Sequence, residues 1–570
     1  MENKIRYLGA STLCCMALLL AGCGGSDSGS EAKPAAQDSA TQAAKVVKSD
    51  LGPDANGNYP DANGLYPDAS GRYPDANGFY PDSAGRYPDS NGLYPDSNGV
   101  YTPSGAAGMF ANEDGVAHIH STDGVLDTNN PFFKAFGNGR SCVSCHAQED
   151  GFSITPKNLQ ARFNKTHGND PIFLPVDGAN SPKAPVATIE DKRQAYSLLL
   201  NKGLIRIGKP IPTMTNDAPP RPAEFVLDSV VDPYNFATDK ELSLFRRPLP
   251  SANLRFLSAV MWDSRETIKV TPADPLNYSQ CIRNPNTPAA TWNCYAPYDQ
   301  ALMFQADNAT KGHAQAAAGL TAEEQKAIVD FELKLYSAQH ISKAAGFLSQ
   351  ANVKGGTKEL TAVDYYFDIG SVFGDPKTGI PSAISKLTAM QLFGAWTDQP
   401  ASRKPNVILA RQSIARGEKI FNTRTFQMVN VAGTRFPTIN GATCTNCHST
   451  PQVGSLGQPN LFGLGIGDPA WSSSPDLPTY TLRNVVPGPD FGKTVVTQDP
   501  GLAVMTGKWG DIGKFKVPSL RGLASRAPYF HDGSAKTIEE TTNFYIRRLV
   551  YDNPLTSQDI DDLNAFLKSL

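Results

Sequence analysis

Apolar residues recur at helical spacing in three segments of the chain, whereas the strict alternation expected of half-buried strands is scarce. The strongest signal lies in 321–340, where Thr321 and Glu324 have the spacing of a capping box at a helix start. One apolar face follows this cap, formed by Ile328, Phe331, Leu335 and Tyr336. The pattern predicts one amphipathic helix through this segment.

The other two helical signals lie near the C-terminus. Thr537 and Glu540 again have capping spacing. The face that follows them is formed by Ile538, Thr542, Tyr545 and Leu549. The last residues carry another apolar stripe, formed by Ile560, Leu563, Phe566, Leu567 and Leu570. Because 49 glycines and 44 prolines are left mainly for the connections, the sequence predicts a mainly α protein with long loops.

Two copies of a Cys-x-x-Cys-His motif carry the clearest chemistry. The first is Cys142, Cys145 and His146. The second, with the same spacing, is formed by Cys444, Cys447 and His448. Two thiols at this spacing form thioethers to one haem, and the histidine binds its iron. A zinc site would need a second ligand pair nearby, which neither copy has, and a redox dithiol is the other alternative.

The N-terminus predicts export, which suits haem attachment. Lys4 and Arg6 precede a short apolar run that ends in Leu-Ala-Gly-Cys23. This ending resembles a bacterial lipobox, so residues 1–23 are expected to form a lipoprotein signal with a lipidated Cys23. No aspartate follows Cys23, which favours the outer membrane of the cell envelope. An ordinary secretory signal is the alternative.

Cysteine usage agrees with an oxidising compartment. Of nine cysteines, two are expected to be removed with the signal, one to be lipidated and four to bind haem covalently. Cys281 and Cys294 remain, and they are predicted to form a disulfide that closes a short loop. Two free thiols are the alternative.

Residues 24–108 are predicted to form a disordered or repeat-rich linker. Between Gly52 and Tyr101 a tyrosine recurs every seventh residue in a Tyr-Pro-Asp-x-x-Gly pattern. These residues favour turns, and aliphatic residues are too few to bury a core. A spacer fits this composition, with calcium binding or cell-wall attachment as alternatives.

The rest of the chain divides around the two haem motifs into domains 109–402 and 403–570. The formal net charge of −3 gives no indication of a nucleic-acid partner. No transmembrane segment is predicted after the signal, so the lipid anchor is the only membrane contact that the sequence predicts.

Two further segments carry a family resemblance. The stretch "FKVPSLRGLASRAPYFHDGSAKTIEE", which begins at Phe515, closely resembles the second-haem domain of bacterial dihaem cytochrome c peroxidases and the related MauG enzymes. The stretch "VMWDSRET" resembles the family's inter-haem Trp-Asp-Gly-Arg segment, with Ser264 in place of glycine. The resemblance implies two cytochrome c-like domains, two covalently attached haem c groups and one bridging calcium ion.

The resemblance also implies three catalytic residues. Trp262 matches the tryptophan through which electrons cross between the haems, with core packing as the alternative. Gln305 matches the glutamine on the distal side of the first haem. The family's distal glutamate is missing, and His313 or Gln315 stands near its place. Histidine can transfer a proton at neutral pH, and a surface position is the alternative for His313.

At the second haem, Tyr545 has the register of the sixth iron ligand, which is methionine in the peroxidases and tyrosine in MauG. Met505 is the main rival, and a tyrosine that only packs in the core is the other alternative. A phenolate ligand lowers the reduction potential of a haem, whereas a thioether raises it.

The remaining implied ligands are less direct. The backbone carbonyls of Arg526 and Pro528 match calcium ligands of the family, and Asn169 and Asn180 are candidates for its asparagine. His167 is a candidate cap for the first iron.

The resemblance predicts an oxidoreductase that uses hydrogen peroxide or oxygen at the first haem and transfers electrons through the second. Its partner would be a small cytochrome or cupredoxin donor, or an oxidisable organic or protein substrate. A membrane-tethered electron-transfer cytochrome without peroxidase turnover is the alternative from another functional class. A dihaem oxygenase is a further one.

Overall fold

The computed structural model describes most of the chain from residue 108 onward. The described residues are 67, 71–73, 108–124, 126–217, 219–267, 296–365, 389–399, 405–432, 438–472 and 474–570, with the backbone alone at 269–270, 280–283 and 292–295. The predicted signal, Cys23 and nearly all of the tyrosine repeat lie outside the described residues. In the described part, no helix is long and apolar enough to cross a membrane.

Helices and short strands alternate along the described chain. Ten helices occur there, namely α1 Pro156–Thr166, α2 Ile189–Ala195, α3 Ser197–Lys202, α4 Tyr298–Gly312, α5 Ala322–Glu332, α6 Gly356–Thr361, α7 Pro405–Thr423, α8 Ala503–Thr506, α9 Ile538–Arg548 and α10 Ser557–Lys568. The strands of the first half are β1 Met109–Asn112, β2 Gly115–Ser121, β3 Ile205–Lys209, β4 Phe225–Val231, β5 Leu242–Arg246, β6 Lys269–Val270, β7 Gln280–Arg283, β8 Trp292–Tyr295, β9 Leu335–Ser342 and β10 Gly346–Phe347. Those of the second half are β11 Phe426–Val429, β12 Thr438–Ala442, β13 Leu461–Phe462, β14 Thr479–Asn484, β15 Thr494–Thr497, β16 Phe515–Lys516 and β17 Val550–Tyr551.

The prediction of a mainly α fold is wrong, because the described residues form a mixed fold of helices and six small sheets. The largest sheet has four strands in the order β1-β2-β9-β10, and the others have two or three. Most strands are too short for alternation to rise above chance in the sequence. Their pairing is set by backbone hydrogen bonds between distant segments, which local periodicity does not reveal.

The segment 321–340 shows why a helical pattern in the sequence failed to predict a strand. The capping box is confirmed, since the Thr321 side chain accepts from the Glu324 amide at 3.2 Å and the Glu324 carboxylate accepts from the Thr321 amide at 3.1 Å. However, the helix ends at Glu332, and Leu335 and Tyr336 belong to β9. Antiparallel pairing with β2 overrides the helical pattern there, because it satisfies the backbone of both strands.

The C-terminal helix α10 packs closely on α7, as its apolar stripe suggested. Leu563, Phe566 and Leu570 are buried in a core that also includes Trp396 and Phe421. Gly417 of α7 faces the backbone of Asp562, and a Cβ there would collide with the Asp562 carbonyl. Glycine is therefore required for the two helices to approach this closely.

The two segments predicted as haem domains share a sheet. Strand β4 from the first pairs with β14 from the second, and β14 also pairs with β15. Phe225, Leu242, Tyr480 and Leu482 pack together beneath it. This antiparallel sheet joins β4, which lies between β3 and β5 in the chain, to the second half of the protein.

Strands β7 and β8 concern the predicted disulfide. Their antiparallel register places Cys281 opposite Cys294. Residues directly opposite each other in such a pair have Cα atoms about 4.5–5.5 Å apart, which is within the range of a disulfide. The side chains lie outside the described residues, so the bond stays a prediction.

Candidate active site

The two Cys-x-x-Cys-His segments fold in the same way. Each begins with a short 3₁₀ turn, Cys142–Ser144 in the first copy and Cys444–Asn446 in the second. A capping box precedes each turn, and the histidine amide donates to the carbonyl of the first cysteine, at 2.9 Å for His146 and 3.0 Å for His448. The four cysteines form no disulfide. Both turns therefore present two thiols and an imidazole together.

Each histidine is oriented through its Nδ1 atom. His146 Nδ1 lies 3.0 Å from the Phe152 carbonyl, and His448 Nδ1 lies 2.6 Å from the Gly454 carbonyl, in both cases six residues further on. Because a carbonyl only accepts, Nδ1 must donate, which leaves Nε2 unprotonated in the neutral ring. Burial lowers the pKa of both histidines to about 4. This arrangement suits a proximal iron ligand.

The first haem motif opens onto a cavity with apolar walls. Cys142, Cys145 and His146 line it, and so do Gln305 and His313 from α4 and its C-terminal cap. Its apolar lining includes Leu254, Leu257, Val260, Leu302 and Ile328. The sequence thus predicted two polar residues that lie in the same cavity as the first motif.

His313 is held in a buried charge network that the sequence did not reveal. Its Nδ1 lies 2.6 Å from the Asp177 carboxylate, and the Arg140 guanidinium lies 2.6 Å from the same carboxylate. Burial opposes ionisation of Asp177, but the hydrogen bond with His313 and the charges of His313 and Arg140 lower its pKa. Arg140 also donates to the His313 carbonyl at 3.0 Å. The His313 side chain is 40% exposed, so it connects the cavity with solvent.

Glu332, at the end of α5, is a second residue that sequence reasoning missed. It lines the first cavity, its Oε2 is buried with no hydrogen-bond partner among the described residues, and burial raises its pKa to about 7. Glu332 also forms a side-chain hydrogen bond with Ser251. Because Ser251 Oγ lies 3.1 Å from His146 Nδ1, Ser251 connects Glu332 with the histidine of the first motif. The available sequence signal was that Glu332, an acidic residue, shares the apolar face of α5 with Ile328.

The second motif opens onto a separate apolar cavity, and one face of α9 forms part of its wall. The residues of that face that line it are Ile538, Thr541, Thr542, Tyr545 and Leu549. The predicted N-cap is confirmed, since Thr537 accepts from the Glu540 amide at 3.2 Å, whereas the Glu540 carboxylate accepts from the Lys536 amide and does not complete a capping box. Burial raises the pKa of the Tyr545 phenol well above its ordinary value. The Tyr545 hydroxyl makes no hydrogen bond with any residue that the structure describes.

The rival ligand Met505 lies on α8 and does not line the second cavity. Met428 of β11 does line it, although no motif or spacing in the sequence points to this residue. Two side chains, Tyr545 and Met428, are therefore candidates for the open side of the second iron.

One wall is common to both cavities. It is formed by Arg247, Pro248, Leu249, Pro250, Trp262 and Lys516. Trp262 is fixed there by its Nε1, which donates to the Arg247 carbonyl at 2.8 Å, and by its own carbonyl, which accepts from the Lys516 amide at 2.9 Å. Ser264, where the family has glycine, has a left-handed φ of 59°. Glycine adopts that conformation most easily, which explains the family residue.

A buried ion network supports this wall. Arg246 pairs with Asp263 at 2.6 Å and with Asp499 at 2.7 Å, and all three side chains are almost fully buried. The His531 ring stacks on Phe515 with centroids 4.0 Å apart. His531 lies in the lining of the second cavity as a packing residue beside Trp262, at 6.3 Å between ring centroids.

The environment of the Lys516 ammonium indicates whether the two cavities suit haem. Its ammonium is buried and has no hydrogen bond or ion pair with any described residue, and burial lowers its pKa to about 7. A buried cation without a partner is costly, so a bound anion is expected beside it. Haem carries two propionates and suits the apolar walls, the free thiols and the oriented imidazoles. The residues present fit a covalently bound haem in each cavity.

Three of the four predicted calcium-ligand oxygens already accept hydrogen bonds, so the four do not form a vacant cation site. The Arg526 carbonyl already accepts from the Arg247 guanidinium at 3.0 Å. The Asn180 side-chain oxygen accepts from the Leu198 amide at 3.2 Å, and the Asn169 side-chain oxygen lies 2.5 Å from the Lys192 ammonium. No hydrogen bond to the Pro528 carbonyl is made in the described part of the chain.

Two other predicted candidates lie away from the cavities. His167 is exposed at the C-terminal cap of α1 and does not line the first cavity. The Gln315 side chain accepts from Asn138 at 3.1 Å and also lies outside the cavity lining. Of the residues near the missing glutamate, only His313 reaches the first cavity within the described lining.

No family model matches the chain. The chain is 30% identical over 152 residues to Cytochrome-c peroxidase IdrP1 of Pseudomonas sp. (strain SCT), covering 23% of this chain and 36% of the relative. It is 29% identical over 130 residues to Cytochrome c551 peroxidase of Nitrosomonas europaea, covering 23% of this chain and 31% of the relative. The chain therefore spans about a third of the length of the curated relatives it matches.

A solved structure of a MauG-like protein associated with microbial copper homeostasis aligns with 60% of this chain and 76% of its own, at 16% identity and a TM-score of 0.27. Over the stretches that align with these relatives, the chain is similar to bacterial cytochrome c peroxidases.

Proposed function

We propose that this protein is a dihaem c-type oxidoreductase that reduces peroxide, or activates oxygen, at the first haem and passes electrons through the second. The observation that carries this proposal is the difference between the two cavities. The first contains a histidine held by a carboxylate and open to solvent, whereas the second is apolar and presents Tyr545 and Met428. One site is thus equipped for proton transfer and the other for electron transfer.

When bound, a haem held by His146 would supply an iron able to bind peroxide and to exchange electrons. His313 would then move the proton. Because His313 Nδ1 lies against Asp177, its Nε2 is the atom that takes a proton from one peroxide oxygen and returns it to the other. Asp177 fixes the orientation of the ring, and Gln305 would orient the peroxide.

Electron supply runs through the shared wall. Trp262 lines both cavities, and the hydrogen bond from its Nε1 to the Arg247 carbonyl fixes its ring, so it is the aromatic residue best placed to connect them. A small cytochrome or cupredoxin would deliver electrons at the second haem. The proposal places the protein in the cell envelope, anchored through Cys23, with an oxidisable organic or protein substrate as the alternative partner.

The experiment is a rapid-mixing measurement on the mature protein, first mixed with hydrogen peroxide alone and then with a reduced small cytochrome. The proposal requires a peroxide-dependent change at one haem and oxidation of the donor. His313→Asn should slow the peroxide step, and His167→Asn, at an exposed histidine outside the cavity, is the matched control. If both haems are low-spin in every redox state and do not respond to peroxide, the protein is a tethered electron carrier.

A further inference from the structure

Arg247 lies directly after β5, and its guanidinium is buried among backbone carbonyls. Nη1 donates to the Lys202 carbonyl at 2.7 Å. Nη2 donates to the Ile154 carbonyl at 2.7 Å and to the Arg526 carbonyl at 3.0 Å. These carbonyls come from three distant segments, one of which follows the first haem motif and another the second. The guanidinium therefore joins the two haem-binding parts of the chain.

The ligands around this guanidinium are those of a hard cation. Among the described residues, no carboxylate forms an ion pair with Arg247, so neutral carbonyl oxygens surround the charge. Backbone carbonyls are also what calcium binds in proteins. Burial lowers the pKa of Arg247 to about 10, which leaves the side chain protonated at neutral pH. A fixed positive charge thus occupies the carbonyl cluster.

The backbone makes room for this side chain. Gly203 ends α3 with a left-handed φ of 63°, and a Cβ at that position would lie 2.5 Å from Arg247 Nη1. Glycine is needed both for the conformation and for the space. The Arg247 main chain is fixed as well, since its amide donates to the His531 carbonyl at 2.6 Å and its carbonyl accepts from Trp262.

The Arg526 carbonyl is one of the two that the family resemblance assigns to calcium, and here it accepts a hydrogen bond from a guanidinium. We propose that the Arg247 guanidinium takes the place of the bridging calcium ion, so that this protein joins its two haem-binding segments without a metal ion. The charge and the carbonyl ligands of such a bridge are kept, but the cation is covalently part of the chain.

The test compares the full mature holoprotein with Arg247→Ala and Arg521→Ala. Arg521 is a matched control, because it is also buried and its guanidinium donates to two carbonyls, those of Gly356 and Gln452. Melting is followed at the haem absorption band, and both reduction potentials are recorded, each with added calcium or with the chelator EGTA. These readouts report on the haem-binding part even if the tyrosine repeat binds calcium.

We expect neither calcium nor EGTA to move the melting temperature or the potentials of the unaltered protein. Arg247→Ala should melt on the order of 5 °C lower and regain at least half of that loss in millimolar calcium, whereas Arg521→Ala should not respond. The proposal fails if EGTA destabilises the unaltered protein or shifts its potentials. It also fails if calcium stabilises Arg247→Ala no more than Arg521→Ala. If Arg247→Ala does not accumulate, the EGTA result on the unaltered protein decides alone.

Discussion

His313 Nδ1 lies 2.6 Å from the carboxylate of Asp177, a residue 136 positions away in the chain. This contact orients a histidine that lines the first cavity, as a proton-transfer group there would require. A lone histidine at this exposure would rotate freely, whereas the Asp177 carboxylate fixes both its ring and its tautomer. Under the proposed function, His313 and Asp177 together would take the role of the distal glutamate that the resemblance implies.

The first prediction concerns this pair. His313→Asn should slow the reaction with peroxide about 10²- to 10⁴-fold, since general acid–base catalysis typically contributes that much. Asp177→Asn should slow it less, because the imidazole remains but loses its orientation. Rapid-mixing absorption spectroscopy at one pH measures both rates. Equal rates for His313→Asn and the His167→Asn control would show that His313 does not transfer the proton.

The second prediction concerns the second iron, for which Tyr545 and Met428 compete. If the Tyr545 phenolate binds it, resonance Raman spectra of the oxidised protein should show tyrosinate vibrations that disappear in Tyr545→Phe. The potential of that haem should rise in the variant, because an anionic oxygen ligand favours oxidised iron. Met428→Leu should leave the spectrum unchanged. If the Leu variant loses the sixth ligand instead, methionine is the ligand.

Local signals in the sequence predicted the parts of the site that are themselves local. The haem motifs, the cap of α9 and the placement of Tyr545 on its cavity face all depend on residues a few positions apart. Asp177 and Glu332 were missed because their roles depend on contacts with distant residues, with His313 for the former and with Ser251 for the latter.

The same distinction explains the error in the fold class. Helix α10 followed its apolar stripe, since α7 covers one side of it. Strand β9 did not follow its helical pattern, because β2, more than 200 residues earlier in the chain, supplies its hydrogen bonds. Pairing partners at such separations leave no periodic signal in either segment.

The third prediction concerns acid stability and His340. Burial lowers the pKa of this residue to about 4, from an ordinary value of 6.5. Between these pH values the unfolded chain binds a proton that the folded protein does not, so stability is full above pH 6.5 and falls as the pH drops towards 4. The loss should be ~2 kcal/mol in the free energy of unfolding, and His340→Gln should remove it. Denaturant titrations at pH 7 and 4.5 measure this, with His167→Asn as the control. An unchanged pH dependence in His340→Gln would contradict the prediction.

The fourth prediction concerns the anchor, which depends on the sequence of the signal alone. Cys23→Ser should release the protein from the membrane fraction while both haems stay attached, because lipidation and haem attachment use different cysteines. Fractionation followed by haem staining measures both. A variant that still sediments with membranes would show that another part of the protein binds them.

The last prediction concerns Lys516, whose ammonium lies in the wall between the cavities without a partner among the described residues. A haem propionate beside it should raise its pKa again and keep it charged at pH 7. Lys516→Met removes this charge, and a nearby positive charge favours the reduced, less positive iron. Both reduction potentials should therefore fall, each by on the order of 50 mV, because the side chain lines both cavities. Lys514→Met is the control, since the Lys514 ammonium already pairs with Asp511 at 2.9 Å. Potentiometric titration followed optically at both haems measures the shifts. If neither potential moves, or Lys514→Met moves them equally, Lys516 does not pair with haem.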